Sequence, residues 1–510
     1  MFSSAFSLCL IGCRGSVSLV RNSPLQLRTP CSGERIQQTT KLARTELEQS
    51  FHLGIITVPL ATALGISFIP ADPSVSGALF WPMWVLITGL LFGVFTEVTR
   101  CGFAQLFRAQ HLLMLAVVII VCAEPLQPSY SSFSDYETVS KTFLSIGLFA
   151  TMVALGSCLS AMRIPRAIGE FASRDYSTTL LFQVVLSGTA VTVFSFAFAA
   201  DFSLSGIIDG LLAPRFAAPW SRGQLGGWDA FRDFLGYFAY IVPTFTVLLA
   251  IRKASWLQPS VVISTFCSLV TLAFLAQGGG RRIIVFVVGS AMLTWLHFQR
   301  RHLRNRHYIL VTALLLANVI FLDVLLAQRR VGFREFSYAA SDFRGMRVDD
   351  NFRSLSETLR LIPAEADFVG FQHLGYVLVR PVPRVFWPGK PVDSGFDLAK
   401  HLGQRGVSLS ITAIGEAYMS FGWIGIAVGG LFFGWMAKTW SQLSDREYGL
   451  IGSALYAFGA LALFLGIRSL LELVLMTYPV LCWYVLDRIL GRAESETYPR
   501  RTSGLMDPTG

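Results

Sequence analysis

Three features of this sequence predict an all-α, polytopic membrane fold. Only 15% of the 510 residues are charged, against about 25% in an ordinary soluble protein. Mean hydropathy is +0.54 and phenylalanine alone supplies 41 residues, more apolar surface than a water-soluble core needs. The apolar residues fall in runs of roughly 17–20, the length of a helix that crosses hydrocarbon. In lipid only helices and closed barrels satisfy the backbone, and the period-two alternation of barrel strands is not seen.

Twelve spans follow along the chain, at 51–69, 80–98, 111–124, 142–162, 178–200, 233–251, 258–276, 282–298, 308–327, 416–437, 449–466 and 470–487. The third is short. Basic residues then set direction. One alternate set of connections holds Arg100 and Arg108; Arg163, Arg166 and Arg174; Arg252 and Lys253; Arg300, Arg301, Arg304 and Arg306; Lys438 and Arg446. The other short connections hold few. The first set is expected in the cytoplasm with both termini, and the C-terminal tail (488–510), with Arg488, Arg492, Arg500 and Arg501, agrees. The formal charge of +10 is thus read as orientation rather than nucleic-acid binding. Residues 1–50 form a cytoplasmic N-terminal tail; their first 33 positions hold no acid and resemble a targeting peptide only weakly. The eight cysteines are scattered without a CxxC pair, so neither disulfides, a metal nor a cofactor is expected.

Helices one to nine therefore occupy 51–327, helices ten to twelve 416–487, and a long outer loop lies at 328–415. A loop of that length is functional or disordered, and its composition argues for function. It holds an amphipathic stretch, Phe352 to Ile362, and an apolar run, Phe368 to Val379, too short to span; the run either lies in the interface or re-enters the protein. The outer connections also gather cations against the usual bias. Arg215 sits beside Trp220, and the short turn Gln277-Gly278-Gly279-Gly280-Arg281-Arg282 opens a helix. Glycine lets a backbone approach closely, and guanidinium binds phosphate bidentately, so this turn suits a phosphate or diphosphate. The alternative is snorkelling to lipid phosphates. Buried acids are few and lie near helix ends, with Asp323, Glu416 and Glu472 toward the outer face, whereas an ion pump places them near the midplane.

The most informative segment is Pro381-Val382-Pro383-Arg384-Val385-Phe386-Trp387-Pro388-Gly389-Lys390-Pro391. Four prolines stiffen it and fix Arg384, Trp387 and Lys390 relative to one another. An indole beside cations suits a sugar diphosphate; a rigid loop with Trp387 at headgroup level is the other reading. Together with Gly415-Glu416-Ala417-Tyr418, Phe421-Gly422-Trp423-Ile424-Gly425 and the Gly-Arg turn, this segment resembles the bacterial oligosaccharide repeat-unit polymerases, which make O-antigen and exopolysaccharide. Arg215, Arg334 and Arg384 each precede a glycine by eleven positions, as in some members.

The resemblance implies a GT-C-like, metal-independent glycosyltransferase of the inner membrane. Its substrates would be undecaprenyl-diphosphate-linked oligosaccharides on the periplasmic side, and its partners membrane lipid, a chain-length regulator and a flippase. A departing diphosphate needs preorganised positive charge. Arg281, Arg282 and Arg384 are the first candidates, Lys390 and Arg215 the next. The acceptor hydroxyl needs a base or orienter, for which Glu416, His373 and His401 are candidates; Trp387 and Tyr418 are candidate sugar contacts. Two other readings stay open. A ligase of the same class would lean on His373 or His401. A transporter would show inverted repeats or broken helices, and neither is seen in the sequence.

Overall fold

Short polar residues set the helix starts. Asp135, Ser177 and Ser203 each accept the backbone N–H three residues on, from Thr138, Leu180 and Gly206, which satisfies a donor that the first helical turn leaves without a carbonyl. In the computed structural model the described residues are 53–132, 134–221, 229–277, 280–299 and 348–380, with most of 382–444 and 448–497 and a few positions between 313 and 334. All lie within one unit, Leu47–Gly510.

The described residues are helical, without a strand. In chain order they form α1 (Leu53–Ser67), α2 (Phe80–Cys101), α3 (Ala109–Cys122), α4 (Tyr136–Cys158), α5 (Arg166–Ala172), α6 (Thr178–Ala199) and α7 (Leu204–Leu212). Then come α8 (Asp229–Gly236), α9 (Phe238–Lys253), α10 (Pro259–Gln277) and α11 (Arg281–Gln299). The long loop contributes α12 (Asn351–Leu361), α13 (Phe371–Val379) and α14 (Leu398–His401). The chain closes with α15 (Thr412–Trp440), α16 (Gly449–Gly466), α17 (Leu470–Leu475) and α18 (Tyr478–Thr497).

Among the described residues, nine helical stretches are long and apolar enough to cross a membrane. They match the expected second, fourth to eighth and tenth to twelfth spans. The first and third spans correspond to the shorter apolar helices α1 and α3. α3 ends in a π-helical segment, Val117–Cys122, and at about 1.5 Å per residue it is shorter than the hydrocarbon is thick. The ninth span, 308–327, lies mostly outside the described residues, as do Asp323 and the tails 1–50 and 498–510.

The alternation of connections, expected from basic residues, has a counterpart in the contacts. The Gly77 N–H donates to the Tyr130 carbonyl (2.8 Å) and the Ala413 N–H to that of Ile467 (2.8 Å); Asn351 Nδ2 reaches the Ile120 carbonyl (3.0 Å). These join connections expected on the outer side, called here the long-loop side. On the opposite side the Tyr456 hydroxyl donates to the Phe107 carbonyl (2.5 Å) and the Met162 N–H to Thr439 (3.1 Å). There Arg174 and Tyr176 both bind the buried carboxylate of Asp487.

Glycine decides how α15 sits against α4. A Cβ on Gly434 would stand 2.1 Å from the Val153 carbonyl oxygen, and one on Gly430 2.5 Å from that of Phe149. From α4, a Cβ on Gly156 would meet the Leu431 carbonyl at 2.2 Å. The backbones touch through this small-residue stripe, the usual way helices associate where lipid gives no hydrophobic drive.

One element differs from expectation. The tenth span is two helices in series: Phe421 (φ −143°, ψ 21°) and Gly422 (φ 62°, ψ −145°) break α15. Gly422 is required there because its φ lies in the left-handed region. The long loop closes the wound: the N–H groups of Val369 and Gly370 donate to the carbonyls of Met419 (2.9 Å) and Ser420 (3.1 Å). A broken helix was not legible in the sequence, where Phe421-Gly422 stands inside an unbroken apolar run.

Candidate functional site

Three arginines and two acids form a chain on the long-loop side. Arg281 and Arg282 open α11. Arg281 pairs with Asp349, at the entry to α12, and Arg282 with Glu472 on α17. Arg468 bridges them, with Nε 3.4 Å from Asp349 Oδ2 and Nη1 3.7 Å from Glu472 Oε1. Glu472 is only 3% exposed. A carboxylate so buried is costly unless cations neutralise it, and two guanidinium groups do so. One of its oxygens, Oε2, is buried without a hydrogen-bond partner among the described residues.

Glu416 lies beside this chain. Its Oε1 accepts from the Ser469 hydroxyl (2.6 Å) and its Oε2 from the Leu470 N–H (2.6 Å). It thereby ties the first half of α15 to the start of α17. His373, on α13, approaches from the loop. Its Nε2 stands 3.4 Å from Glu416 Oε2, long for a hydrogen bond. The ring is 4% exposed and both nitrogens are buried without hydrogen-bond partners among the described residues. The imidazole is therefore held against a carboxylate, with neither nitrogen hydrogen-bonded among the described residues.

The structure thus brings together Arg281, Arg282, Glu416 and His373 of the residues singled out by sequence. It adds Arg468, Asp349 and Glu472, which sequence reasoning did not assign to the site. Arg468 stands in a short turn two residues after Gly466, without the repeated glycines of the Gly-Arg turn; only its contacts with Asp349 and Glu472 bring it to the site.

The remaining candidates take other places. Arg384 lies outside the described residues. Lys390 is buried, and its ammonium donates to the carbonyls of Arg380 (2.7 Å) and Val382 (2.5 Å). These bonds tie Lys390 back to the end of α13, since a buried ammonium takes the nearest carbonyls. Trp387 is 44% exposed. His401 stacks on Phe396 (4.7 Å, 24°), and its Nδ1 lies 2.9 Å from the Asp397 carbonyl, so it finishes α14. Tyr418 is a core residue: it packs against Phe368 and Trp423, and its hydroxyl donates to the Ile362 carbonyl (3.2 Å). Arg215 lies over the Phe216 ring, and its carbonyl accepts the Ser221 hydroxyl (2.8 Å). Nearby, Trp220 packs with Phe196 and Phe274 and donates to Gln277 (2.8 Å).

A further carboxylate positions the loop. Glu124 Oε2 accepts the N–H groups of Phe352 (2.8 Å) and Arg353 (3.1 Å) at the start of α12, where a helix presents unsatisfied donors. Burial outweighs these bonds and pushes its carboxyl up to about 7.

Among known protein families, one model matches, over residues 350–474, and it is described as a domain of unknown function (DUF8712). The match spans α12 to α17 and so holds His373, Glu416, Arg468 and Glu472, but not the Gly-Arg turn. No curated protein and no solved structure matches this chain.

Proposed function

We propose that this protein is a glycosyltransferase that joins undecaprenyl-diphosphate-linked oligosaccharide repeat units into a surface polysaccharide. On this reading it is a twelve-helix protein of the bacterial inner membrane with the long loop in the periplasm. The observation that carries the proposal is the convergence of Arg281, Arg282 and Arg468 with Glu416 and His373 beneath that loop. The motif resemblance described above supplies the substrate class.

The chemistry follows from charge. The acceptor hydroxyl oxygen forms a bond to the anomeric carbon of the donor, and the bond from that carbon to the diphosphate oxygen breaks. The proton of the hydroxyl passes to the His373–Glu416 pair, and negative charge grows on the departing lipid diphosphate. Preorganised guanidinium groups stabilise that charge without reorganising. In the resting chain Asp349 and Glu472 occupy the guanidinium groups, and two phosphoryl groups carry the charge needed to displace them. Because Asp349 stands at the entry to α12, displacement would be felt by the long loop.

A second reading, a ligase that moves finished glycan to lipid A or protein, is favoured by the placement of His373 against Glu416. Deletion of the gene separates the two. Single repeats on the cell surface support the polymerase; loss of all attached glycan with accumulation of lipid-linked polymer supports the ligase. A null strain with normal chain length would reject both. The break in α15 suits a transporter, and elongation by purified protein in detergent would exclude that class.

A further inference from the structure

Tyrosines gather beside the Arg282–Glu472 pair. Tyr237 precedes α9 by one residue, Tyr240 lies in its first turn, and Tyr478 opens α18. The Tyr237 ring centroid lies 5.3 Å from that of Tyr240 and 5.4 Å from that of Tyr478; Phe234 adds an edge contact to Tyr478 at 6.3 Å. Tyr240 is buried and faces Phe286 (6.1 Å). Phe286 stands four residues after Arg282 on α11, and so on the same helical face. Tyr240 is also within electrostatic reach of Arg282. Glu472, the partner of Arg282, precedes Tyr478 by six residues. Through Tyr240 the cluster is therefore near the cation that the proposed function gives to the diphosphate.

Tyr237 and Tyr478 are half-buried, so each keeps part of its ring open. Tyrosines of a membrane girdle hold their rings at headgroup level. These pack on one another in a cluster that reaches the vicinity of Arg282. An aromatic face with a hydroxyl at its rim suits a ligand with both apolar C–H faces and hydroxyls.

We propose that Tyr237 and Tyr478, backed by Tyr240, form a carbohydrate-stacking subsite that holds the sugar next to a diphosphate bound at Arg282. This inference rests on the proposed function for its diphosphate and adds the residues that read the sugar. It is tested by binding to the full chain in detergent micelles, measured by native mass spectrometry. The probes are undecaprenyl diphosphate alone and the same lipid carrying glucose, galactose or N-acetylglucosamine. At least one sugar should tighten binding over the bare lipid, by about threefold to tenfold. Tyr237→Ala and Tyr478→Ala should remove that increment and leave affinity for the bare lipid within about twofold, whereas Tyr237→Phe and Tyr478→Phe, which keep the stacking face and lose only the hydroxyl, should keep the larger part of it. A wild type that gains nothing from any of the sugars, or Ala variants that retain the increment, would overturn the subsite. So would Ala variants that lose the bare lipid as well, since the tyrosines would then merely support the arginines. Failure of the wild type to bind the bare lipid sinks the proposed function, and this inference with it.

Discussion

On the proposed function Arg282 carries the largest chemical demand on the long-loop side, and its environment bears on how that demand would be met. Its partner Glu472 is buried, yet the guanidinium keeps 37% of its side chain exposed, so one end of the pair is anchored and the other reachable. Removal of one transition-state donor of this kind slows a reaction by roughly 10²–10³. Arg282→Ala and Arg468→Ala should each reduce the initial rate of repeat-unit elongation by about that factor. The Lys variants should recover only part of it, because an ammonium lacks the bidentate fork. His373→Gln should lower the rate by about 10²-fold or more while leaving the melting temperature of the purified protein near that of wild type, since no hydrogen bond of the described residues depends on the ring. At this scale the sequence showed the Gly-Arg turn, because glycine next to paired arginines at a helix start is a local pattern. It hid Arg468, whose meaning comes only from Asp349 and Glu472 more than one element away in the chain or across a turn. At Lys390 the proline content was legible, but the bonds of its ammonium to the Arg380 and Val382 carbonyls were not.

At the scale of elements, two features can be challenged directly. The stripe of Gly156, Gly430 and Gly434 lets α4 and α15 touch. Gly434→Leu must force the backbones apart, with a cost of about 1–3 kcal/mol for overpacking; a lower melting temperature in detergent checks this, and Gly375→Leu, where a Cβ meets nothing within 4 Å, should leave it nearly unchanged. The second feature is the tie between Glu124 and the start of α12. Its carboxyl is raised from 4.5 to about 7 in the folded chain. A raised value means that the folded state holds the proton more tightly, so this contribution is full below about pH 4.5 and is lost as pH rises through about 7. Both N–H donors reach Oε2, so a proton on Oε1 leaves the tie intact. Hydrogen exchange of residues 351–361, corrected for intrinsic rates, should therefore show stronger protection at pH 5.5 than at pH 8, and Glu124→Gln should abolish the difference. Equal protection at both values in the wild type would contradict the assignment. Helix positions were legible from apolar runs because their length is set by hydrocarbon thickness. The break at Phe421-Gly422 was not, because its signal is a backbone angle satisfied by Val369 and Gly370 from a distant loop.

For the whole molecule, the connections fall into two groups that contact among themselves, at opposite ends of the helices. The long-loop side then gathers the three arginines, Glu416, His373 and the tyrosine cluster, while the opposite side is tied by Asp487 and Glu97, the latter bound by Arg108 (2.5 Å) and His111 (3.0 Å). Single cysteines at positions 76 and 280, in a chain whose native cysteines are replaced, should react with a membrane-impermeant thiol reagent added to spheroplasts. A cysteine at position 165 should react only after the membrane is opened. The central claim is that guanidinium groups on the long-loop side drive departure of a lipid diphosphate. Its most direct test is elongation of undecaprenyl-diphosphate-linked repeat units by purified protein carrying Arg281→Ala, Arg282→Ala and Arg468→Ala together. The account predicts a ladder of polymer from the wild type and single, unjoined repeats from the triple variant at equal folded concentration; a ladder of full length from the triple variant would contradict it.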